Sequence, residues 1–342
     1  MRKSGTGAER GSIGAWTALA LLTVLVFLLC LCVGSVTVPL KEILRIFFGA
    51  ATNPAAEKIV LTVRLPRVLC AALVGAGLSL CGAAMQGLLK NPLADGYTLG
   101  ISSGASLGAI LAFLFQVSFE TLHFSGTMVM ASLFAFLSLL VILGLAYRVD
   151  RSLATNTIIL IGIIFSMFAS ALSSLLITFA GEKIRSITFW TLGSLSGSTL
   201  ADAAALGGTL LVCGGILIGQ AEELNAFAIG EDNARSIGVN IRKSRLLVLG
   251  ASSVLVGVSV AVGGTIGFVG LVIPHILRLL VGPNHRRLLP ACIFGGMCFL
   301  MLADLAARTI VRPVELPIGV VTSIIGAILF VVILYRSRRP AG

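Results

Sequence analysis

Charged residues are scarce in this chain. They make up 11% of its 342 residues, whereas 57% of the residues are hydrophobic. Hydrophobic runs of this number and length exceed what the core of a soluble protein requires, so a soluble fold is excluded. The sequence predicts an integral membrane protein.

Acidic residues are almost missing from the hydrophobic runs. Asp202 lies at the beginning of the sixth run, and Asp304 lies near the end of the ninth, one helical turn before Arg308. A carboxylate in the membrane interior costs about 3 kcal/mol and is usually retained for function, so this scarcity disfavours an ion-coupled secondary transporter. Asp304 precedes Arg308 by four residues, which is the order that favours an ion pair on a helix. The two residues form either an ion pair that satisfies itself or part of a relay for transported ions.

Motifs for catalysis and metal binding are also missing. The seven cysteines and three histidines form no C-x-x-C pair and no His and Cys group, so we predict no metal site and no disulfide. The phosphate loop G-x-x-x-x-G-K-[ST] does not occur, and no nucleophile and base are clustered. These absences disfavour a membrane enzyme, and we expect no catalytic residues and no cofactor bound by this chain.

Ten hydrophobic segments are long enough to cross the membrane as helices, which takes about 17–25 residues. They predict an all-α polytopic membrane protein with ten transmembrane helices in a single domain, residues 1–342. The approximate segments are 16–35, 66–88, 97–116, 127–147, 155–179, 199–219, 245–263, 266–281, 290–307 and 316–335.

The distribution of Lys and Arg predicts the orientation, because basic residues near helix ends favour the cytoplasmic side. With both termini in the cytoplasm, 16 of the 25 Lys and Arg residues lie in cytoplasmic segments. The cytoplasmic tails would be residues 1–15 and 336–342, and the net charge of +11 needs no nucleic acid partner to explain it. Nine basic residues then face outward: Lys41, Arg45, Lys58, Arg64, Arg67, Lys183, Arg185, Arg308 and Arg312.

Glycine is abundant, with 39 residues placed mostly within the hydrophobic segments. A Leu-Val-Gly triplet at 73–75, followed by Gly82 and Pro92, recurs 182 residues later as 255–257, Gly264 and Pro274. Because the second copy starts five segments after the first, it would enter the membrane in the opposite sense, as in transporters with inverted-repeat halves. The glycines that precede Pro274 also predict broken helix, which is tolerated at membrane depth where it is buried in protein or lines a cavity.

Seven motifs follow one another along nearly the whole chain. They are RLPR at 64–67, GAAMQGLLKNPLAD at 82–95, LGISSGASLGA at 99–109, FWTLGSLSG at 189–197, GEDNARSIGVN at 230–240, GFVGLVIPHILRLLVGPNHRRLLP at 267–290 and ELPIGVV at 315–321. In this order they resemble the permease subunits of type II ABC importers for iron-siderophore, haem and cobalamin uptake. The resemblance implies a ten-helix subunit that dimerises with a second permease copy, as a homodimer, around a translocation pathway. It also implies two ABC ATPase subunits, which bind ATP and Mg²⁺, and an extracytoplasmic substrate-binding protein.

The longest polar interruption, residues 222–245, lies between the sixth and seventh segments. Within it, residues 222–243 resemble the cytoplasmic coupling helices that insert into a groove of the ATPase. Acids at 231 and 232 are expected to begin a short helix, where the helix dipole favours them, and the glycine at 238 is placed to end it. The alternative is a solvated loop. The predicted coupling residues are Gly230, Glu231, Asp232, Ala234, Arg235 and Gly238.

Four residues match positions that resemble the cytoplasmic gates of the family. They are Asn91 and Leu93, after the second segment, and Thr155 and Asn156, at the beginning of the fifth. Without the resemblance, the first pair would be interpreted as a turn and the second as a helix N-cap.

Three outward arginines, Arg64, Arg67 and Arg308, match positions where family permeases meet acidic residues of the binding protein. Arginine suits such contacts because its planar fork can bind a carboxylate through two hydrogen bonds. The alternative is that these side chains snorkel to lipid headgroups.

We therefore expect a multi-pass permease of the cytoplasmic membrane that is not itself an enzyme. The broken helix near Pro274 carries no charge that would mark a small-ion site, so the expected cargo is bulky. Ferric siderophore is the predicted cargo, because LGISSGASLGA most resembles that branch of the family. Haem and cobalamin are the alternatives within the family.

Overall fold

The computed structural model describes residues 5–34, 36–117, 126–151 and 153–337. Across these residues the chain forms helices, turns and loops but no β-strand, which confirms the predicted all-α fold. The α-helices, numbered along the chain, are α1 (Gly5–Cys32), α2 (Leu40–Phe47), α3 (Pro54–Lys58), α4 (Leu65–Leu89), α5 (Ile101–Phe115), α6 (Gly126–Val149), α7 (Thr155–Thr178), α8 (Ile184–Thr191), α9 (Leu200–Gly219), α10 (Ala221–Ile229), α11 (Glu231–Ser236), α12 (Ile241–Gly263), α13 (Val269–Val281), α14 (His285–Ala307) and α15 (Ile318–Ser337).

Six helical segments of the described chain are long and apolar enough to cross a membrane. They are the continuous stretch Pro54–Leu89, which ends with α4, and helices α6, α7, α9, α12 and α14. Four shorter apolar helices lie at Trp16–Cys32, Ile101–Phe115, Val269–Val281 and Ile318–Val332. These helices coincide with the predicted hydrophobic segments, while the number of crossings and the side on which the termini lie stay predictions.

The two predicted tails lie only partly within the described residues. Most of residues 1–15 belongs to α1, which begins at Gly5. Residues 338–342, the larger part of the predicted C-terminal tail, lie outside the described chain.

Short helices between the apolar segments are the elements that the sequence analysis missed. α2 and α3 lie between α1 and α4, and α8 lies between α7 and α9. Residues Ile59–Arg64 form a π-helical turn that leads into α4. None of these elements exceeds eight residues, so none produces a membrane-span signal.

Helix α4 lies at the centre of the fold, packed against α9, α12, α13 and α14. In the most apolar part of Pro54–Leu89, 89% of the residues are buried, compared with 17% in α7. The close packing depends on facing glycines: Gly75 meets Gly296 of α14, and Gly82 meets Gly270 of α13. A Cβ atom at Gly75 or Gly82 would overlap the carbonyl oxygen of the facing glycine. Small residues are the usual means by which helix backbones approach closely in a membrane.

The recurring pattern of a Leu-Val-Gly triplet, a glycine and a proline does not occupy equivalent positions in the two halves of the chain. Gly82 lies inside α4, whereas Gly264 follows the end of α12. Pro92 lies in the turn after α4, whereas Pro274 lies inside α13. These matches therefore give no structural support to an inverted repeat, which stays a prediction.

The chain unwinds between α12 and α13, where the glycines predict broken helix. Gly264 has a φ of +68°, and Phe268, which precedes α13, has a φ of +67°. Thr265, Gly267 and Phe268 line a cavity of about 550 Å³. The irregular backbone thus borders an open space, which is one of the settings in which membrane proteins tolerate it.

We predict that Gly82→Ala destabilises the protein by about 1–3 kcal/mol, because the added Cβ forces apart the backbones of α4 and α13. The measurement is the melting temperature of the purified protein in detergent. Gly215→Ala on α9 is the matched control, since nothing lies within 4 Å of its added Cβ. Equal melting temperatures for the two variants would contradict the close backbone contact at Gly82.

Candidate functional site

Two short helices, α10 and α11, form the polar connection between α9 and α12. Gly230, with a φ of +126°, separates them. As predicted, the acids Glu231 and Asp232 occupy the first turn of α11, where the helix dipole favours negative charge. Gly238 has a φ of +90°, its N–H donates to the Arg235 carbonyl oxygen (3.0 Å), and the Val239 N–H donates to the Ala234 carbonyl oxygen (3.0 Å). This bond pair closes the helix in the way typical of a C-terminal glycine.

One face of α11 is exposed and the other packs onto the protein. Ala234 is fully buried, whereas Asp232 and Arg235 point outward and form a 3.8 Å ion pair between exposed side chains. Ile229 and Ile237, which flank the helix, are each 69% exposed. An exposed helix with apolar residues at both ends suits insertion into a groove of a partner protein.

Helix α10 is fixed to the beginning of α14. Asn225 donates a hydrogen bond to Asn284 Oδ1 (3.0 Å), and its own Oδ1 accepts one from the His285 backbone N–H (2.9 Å). Glu222 pairs with Arg286 close by. These contacts hold the end of the molecule that carries α10 and α11 against the main helical body.

Arg245 on α12 is a functional candidate that the sequence analysis missed. Its guanidinium group bonds to Glu231 Oε1 at 2.8 Å and to the Leu153 carbonyl oxygen at 3.0 Å. These partners lie 14 and 92 residues away in the chain, so no local pattern could reveal them. In the predicted orientation, Arg245 is one of the 16 basic residues on the cytoplasmic side.

The predicted gate residues lie on two separate elements. Asn91 and Leu93 belong to the turn after α4, where Asn91 Oδ1 accepts a hydrogen bond from the Leu93 N–H (2.9 Å) and the Leu93 side chain is exposed. Thr155 and Asn156 are the first two residues of α7, and its N-cap is Ala154, so the N-cap interpretation of Thr155 and Asn156 is wrong. The helix begins one residue earlier, since the Ala154 carbonyl oxygen accepts the first helical hydrogen bond from the Ile158 N–H (3.1 Å).

The arginine cluster, which we define as Arg64, Arg67 and Arg308, lies at the opposite ends of α4 and α14 from α10. Arg67 Nε donates to Asp304 Oδ1 (2.9 Å), and its Nη1 atom bonds to both carboxylate oxygens of Glu315 (3.0 and 2.9 Å). Arg308 Nε lies 3.3 Å from Asp304 Oδ2, which confirms the predicted pairing of these two residues.

The remaining contacts of the arginine cluster tie α1 to α4 and α14. Arg64 donates to the carbonyl oxygens of Leu31 (2.7 Å) and Cys32 (3.1 Å), and Arg308 donates to that of Cys30 (2.8 Å). The three arginines are only 4, 8 and 7% exposed. A carboxylate of a docking protein would therefore have to share or replace their partners within the chain. Docking itself stays a prediction.

Other cations that are predicted to face outward also have partners within the chain. Lys183 Nζ donates to the Leu114 carbonyl oxygen (2.9 Å), and the Arg185 guanidinium lies 6.0 Å from the centre of the Phe189 ring. Arg45 lies 3.7 Å from Glu42.

Two neighbouring cavities share Tyr97, Thr191 and Thr265 in their walls. The larger one, about 550 Å³, is mainly apolar and includes Phe268 and, at one side, Asp95. Burial raises the pKa of Asp95, while hydrogen bonds from Thr98 and Tyr97 oppose that shift. The smaller cavity, about 320 Å³, is lined by the apolar side chains of Ile110 and Ile177 and by the hydroxyl-bearing residues Tyr97, Ser102, Ser103, Ser106, Ser170, Ser173, Thr191 and Thr265.

Side chains of the types that bind metal ions are scattered through the described residues. No group of three or more His, Cys, Asp or Glu side chains there could hold a metal ion. The seven cysteines are free, and six of them are buried. His123 lies outside the described residues.

Residues 22–336 match the model of the FecCD transport family. The chain belongs to the FecCD transport family. The match covers every helix from the second half of α1 to α15, so it includes α10, α11, the predicted gate residues and the arginine cluster.

Known relatives of this FecCD protein are similar along most of their length. The molybdate import system permease protein MolB of Haemophilus influenzae is 38% identical over 328 residues, which cover 94% of this chain and 95% of MolB. The hemin transport system permease protein HmuU of Yersinia pestis is 38% identical over 328 residues, which cover 92% of this chain and 94% of HmuU. A solved metal-chelate type ABC transporter in an inward-facing conformation matches with a TM-score of 0.83 and 35% identity, over 94% of this chain and 98% of that one. This FecCD protein is therefore a polytopic membrane permease of an ABC importer.

We predict that Asp304→Asn destabilises this FecCD permease by about 3–5 kcal/mol, because it leaves two buried arginines without their shared anion. The melting temperature in detergent measures the effect. Asp202→Asn is the matched control, because Asp202 caps the first turn of α9 and its loss costs only about 1 kcal/mol. An Asp304 variant as stable as the Asp202 variant would show that the cluster does not depend on this charge.

Proposed function

We propose that this permease imports a ferric siderophore as a homodimer, coupled to two ABC ATPase subunits and fed by an extracytoplasmic binding protein. Coupling to the ATPase is supported by the structure of α11. It is a short exposed helix between two exposed isoleucines, and α10 and Arg245 fix it to the helical body. In this proposal the ten helices cross the membrane with α10, α11 and both termini in the cytoplasm, and the arginine cluster faces outward.

Energy for transport comes from the ATPase partner in this proposal. The sequence contains no phosphate loop, and Asp304, which is 1% exposed and lies within α14, is engaged by two arginines. An acid held in this way is poorly placed to bind and release a proton or sodium ion during each transport cycle. This arrangement favours ATP-driven transport over the ion-coupled alternative.

The two cavities support a bulky cargo with uncharged hydrogen-bonding groups. Together they offer an apolar wall and a wall of hydroxyl groups, and no basic residue lines them in the described part of the chain. A free oxyanion would meet no positive charge there and would face Asp95 instead. Haem is the alternative that a relative supports, since HmuU is named for hemin transport, and cobalamin is the other alternative from the resemblance.

ATP-dependent uptake tests the function. The permease is reconstituted in lipid vesicles with its ATPase and its binding protein, and uptake of a ⁵⁵Fe-labelled siderophore is compared with uptake of haemin and of cyanocobalamin. We expect uptake of the siderophore only when ATP is available. Uptake driven by a proton or sodium gradient without ATP would exclude the proposal, and ATP-driven uptake of haemin or cyanocobalamin alone would change the cargo.

We predict that Gly238→Val in this reconstituted system abolishes uptake and the ATP hydrolysis that the binding protein stimulates. A β-branched residue cannot readily adopt a φ of +90°, so the end of α11 would change shape although there is space for the side chain. Gly238→Asn is the control, since asparagine tolerates positive φ values better than other residues that bear a side chain. If uptake and stimulated ATP hydrolysis were normal in the valine variant, the assignment of α11 to the coupling site would be wrong.

For docking, we predict that Glu315→Gln raises the affinity for the binding protein several-fold. Glu315 is the exposed partner of Arg67, with 47% of its side chain accessible, so removing its charge frees the Arg67 guanidinium for a carboxylate of the binding protein. The gain should shrink as the ionic strength rises.

The matched control is Glu182→Gln, which removes an exposed acid from a part of the chain that is also predicted to face outward. Affinity is measured by surface plasmon resonance on the permease in nanodiscs. If Glu315→Gln leaves the affinity unchanged or lowers it, Arg67 is an internal structural group and the docking assignment fails for this residue.

A further inference from the structure

Arg245 joins three parts of the permease that are far apart in sequence. It lies in the second turn of α12 and is 5% exposed. One end of its guanidinium fork binds Glu231 at the beginning of α11 (2.8 Å), and another binds the carbonyl oxygen of Leu153 (3.0 Å). The planar fork holds both partners in a fixed relative geometry.

Leu153 belongs to a tight turn that leads directly into α7. Its φ is +53°, and its N–H donates to the Asp150 carbonyl oxygen (3.0 Å). The Asp150 carboxylate accepts a second bond from the Ala154 N–H (3.1 Å). Leu153 precedes Thr155, the first residue of α7, by only two residues, so a displacement of Leu153 reaches the beginning of α7 directly.

The two short helices are attached to different parts of the protein. α10 is attached to α14 through Asn225 and Glu222, as described above. α11 is instead linked through Glu231 and Arg245 to α12 and to the turn before α7. Helix α7 is the least buried of the long apolar helices, with 17% of its most apolar residues buried, so it has few contacts within the chain to hold it in place.

We infer that Arg245 is a positioning residue that transmits movement of α11 to the beginning of α7, and thereby links the ATPase to Thr155 and Asn156. The inference rests on the proposed function, in which α11 docks on the ATPase and the beginning of α7 contributes to the gate. Loss of either fork contact would uncouple the two ends without removing the exposed surface of α11. Because the fork acts as a unit, removing both contacts should cost little more than removing one.

The test places a cysteine at Asn156 in a variant that lacks the seven native cysteines and is reconstituted with the ATPase in lipid vesicles. The rate of labelling by a soluble maleimide is compared without nucleotide and with ATP trapped by vanadate, alongside ATP hydrolysis and uptake. With Arg245 present, we expect the labelling rate to change with nucleotide. In Arg245→Gln and Arg245→Lys, we expect that change to disappear and uptake per ATP hydrolysed to fall about tenfold, a typical size for coupling between sites.

Four variants besides Arg245→Gln make the outcome decisive. Arg245→Lys keeps the buried cation but cannot span both acceptors, so it separates loss of the fork from loss of folding. Glu231→Gln removes the charge from the α11 contact alone and should give the same labelling defect, and the double variant Arg245→Gln with Glu231→Gln should be no worse than either single one. Arg148→Gln, which changes an exposed arginine in the last turn of α6, should behave as the native protein.

Each outcome has one meaning. If Arg245→Lys and Glu231→Gln both retain the nucleotide-dependent labelling and normal uptake per ATP, the inference is wrong. If Arg245→Gln fails to copurify with the ATPase, the lysine and glutamine variants at positions 245 and 231 still decide the matter. If the permease with Arg245 intact shows no ATP-dependent uptake at all, the proposed function fails, and the labelling comparison then shows whether α11 and α7 are nonetheless linked.

Discussion

The close approach of α4 to its neighbours is the constraint on which the rest of the structure depends. Lipid tails are as apolar as leucine, so burying hydrophobic side chains does little to drive helices together inside a membrane. The glycine contacts at Gly75 and Gly82 bring backbones together and multiply weak dispersion contacts along α4. Near its end, Gln86 adds hydrogen bonds to the Gly270 (3.2 Å) and Leu271 (3.3 Å) carbonyl oxygens of α13. A single central helix thus sets the positions of α13 and α14.

Because α4 runs the length of the body, it also relates the two polar ends of the permease. At its first turn, Arg67 binds Asp304 of α14 and Glu315, which precedes α15. Beyond its last turn lies the turn with Asn91 and Leu93. The buried charges at the first end are satisfied within the chain, as buried ions must be, and this explains why cations that sequence reasoning assigned to a partner are found largely enclosed.

The two ends differ in how much they offer a partner. At the arginine cluster, the accessible group is Glu315, while the guanidinium groups lie beneath the surface. Around α11, charged and apolar side chains are exposed together, and the helix connects inward through a buried arginine. An exposed helix with a rigid internal connection is suited to receive movement from another subunit, whereas a buried ionic cluster is suited to resist deformation.

The sequence by itself determined the membrane class, the location of the apolar helices, the broken helix before Pro274 and the short helix from Glu231 to its terminal glycine. These features follow from hydrophobic run length, glycine placement and capping, all of which are local properties of the chain. Only the tertiary structure decided that Arg67 binds Glu315 and that Arg245 joins Glu231 to Leu153, because these partners are separated by 248, 14 and 92 residues. The sequence also could not decide which glycines meet a facing backbone, since glycine has no side chain to carry a pattern and its neighbours are set by how α4, α13 and α14 pack.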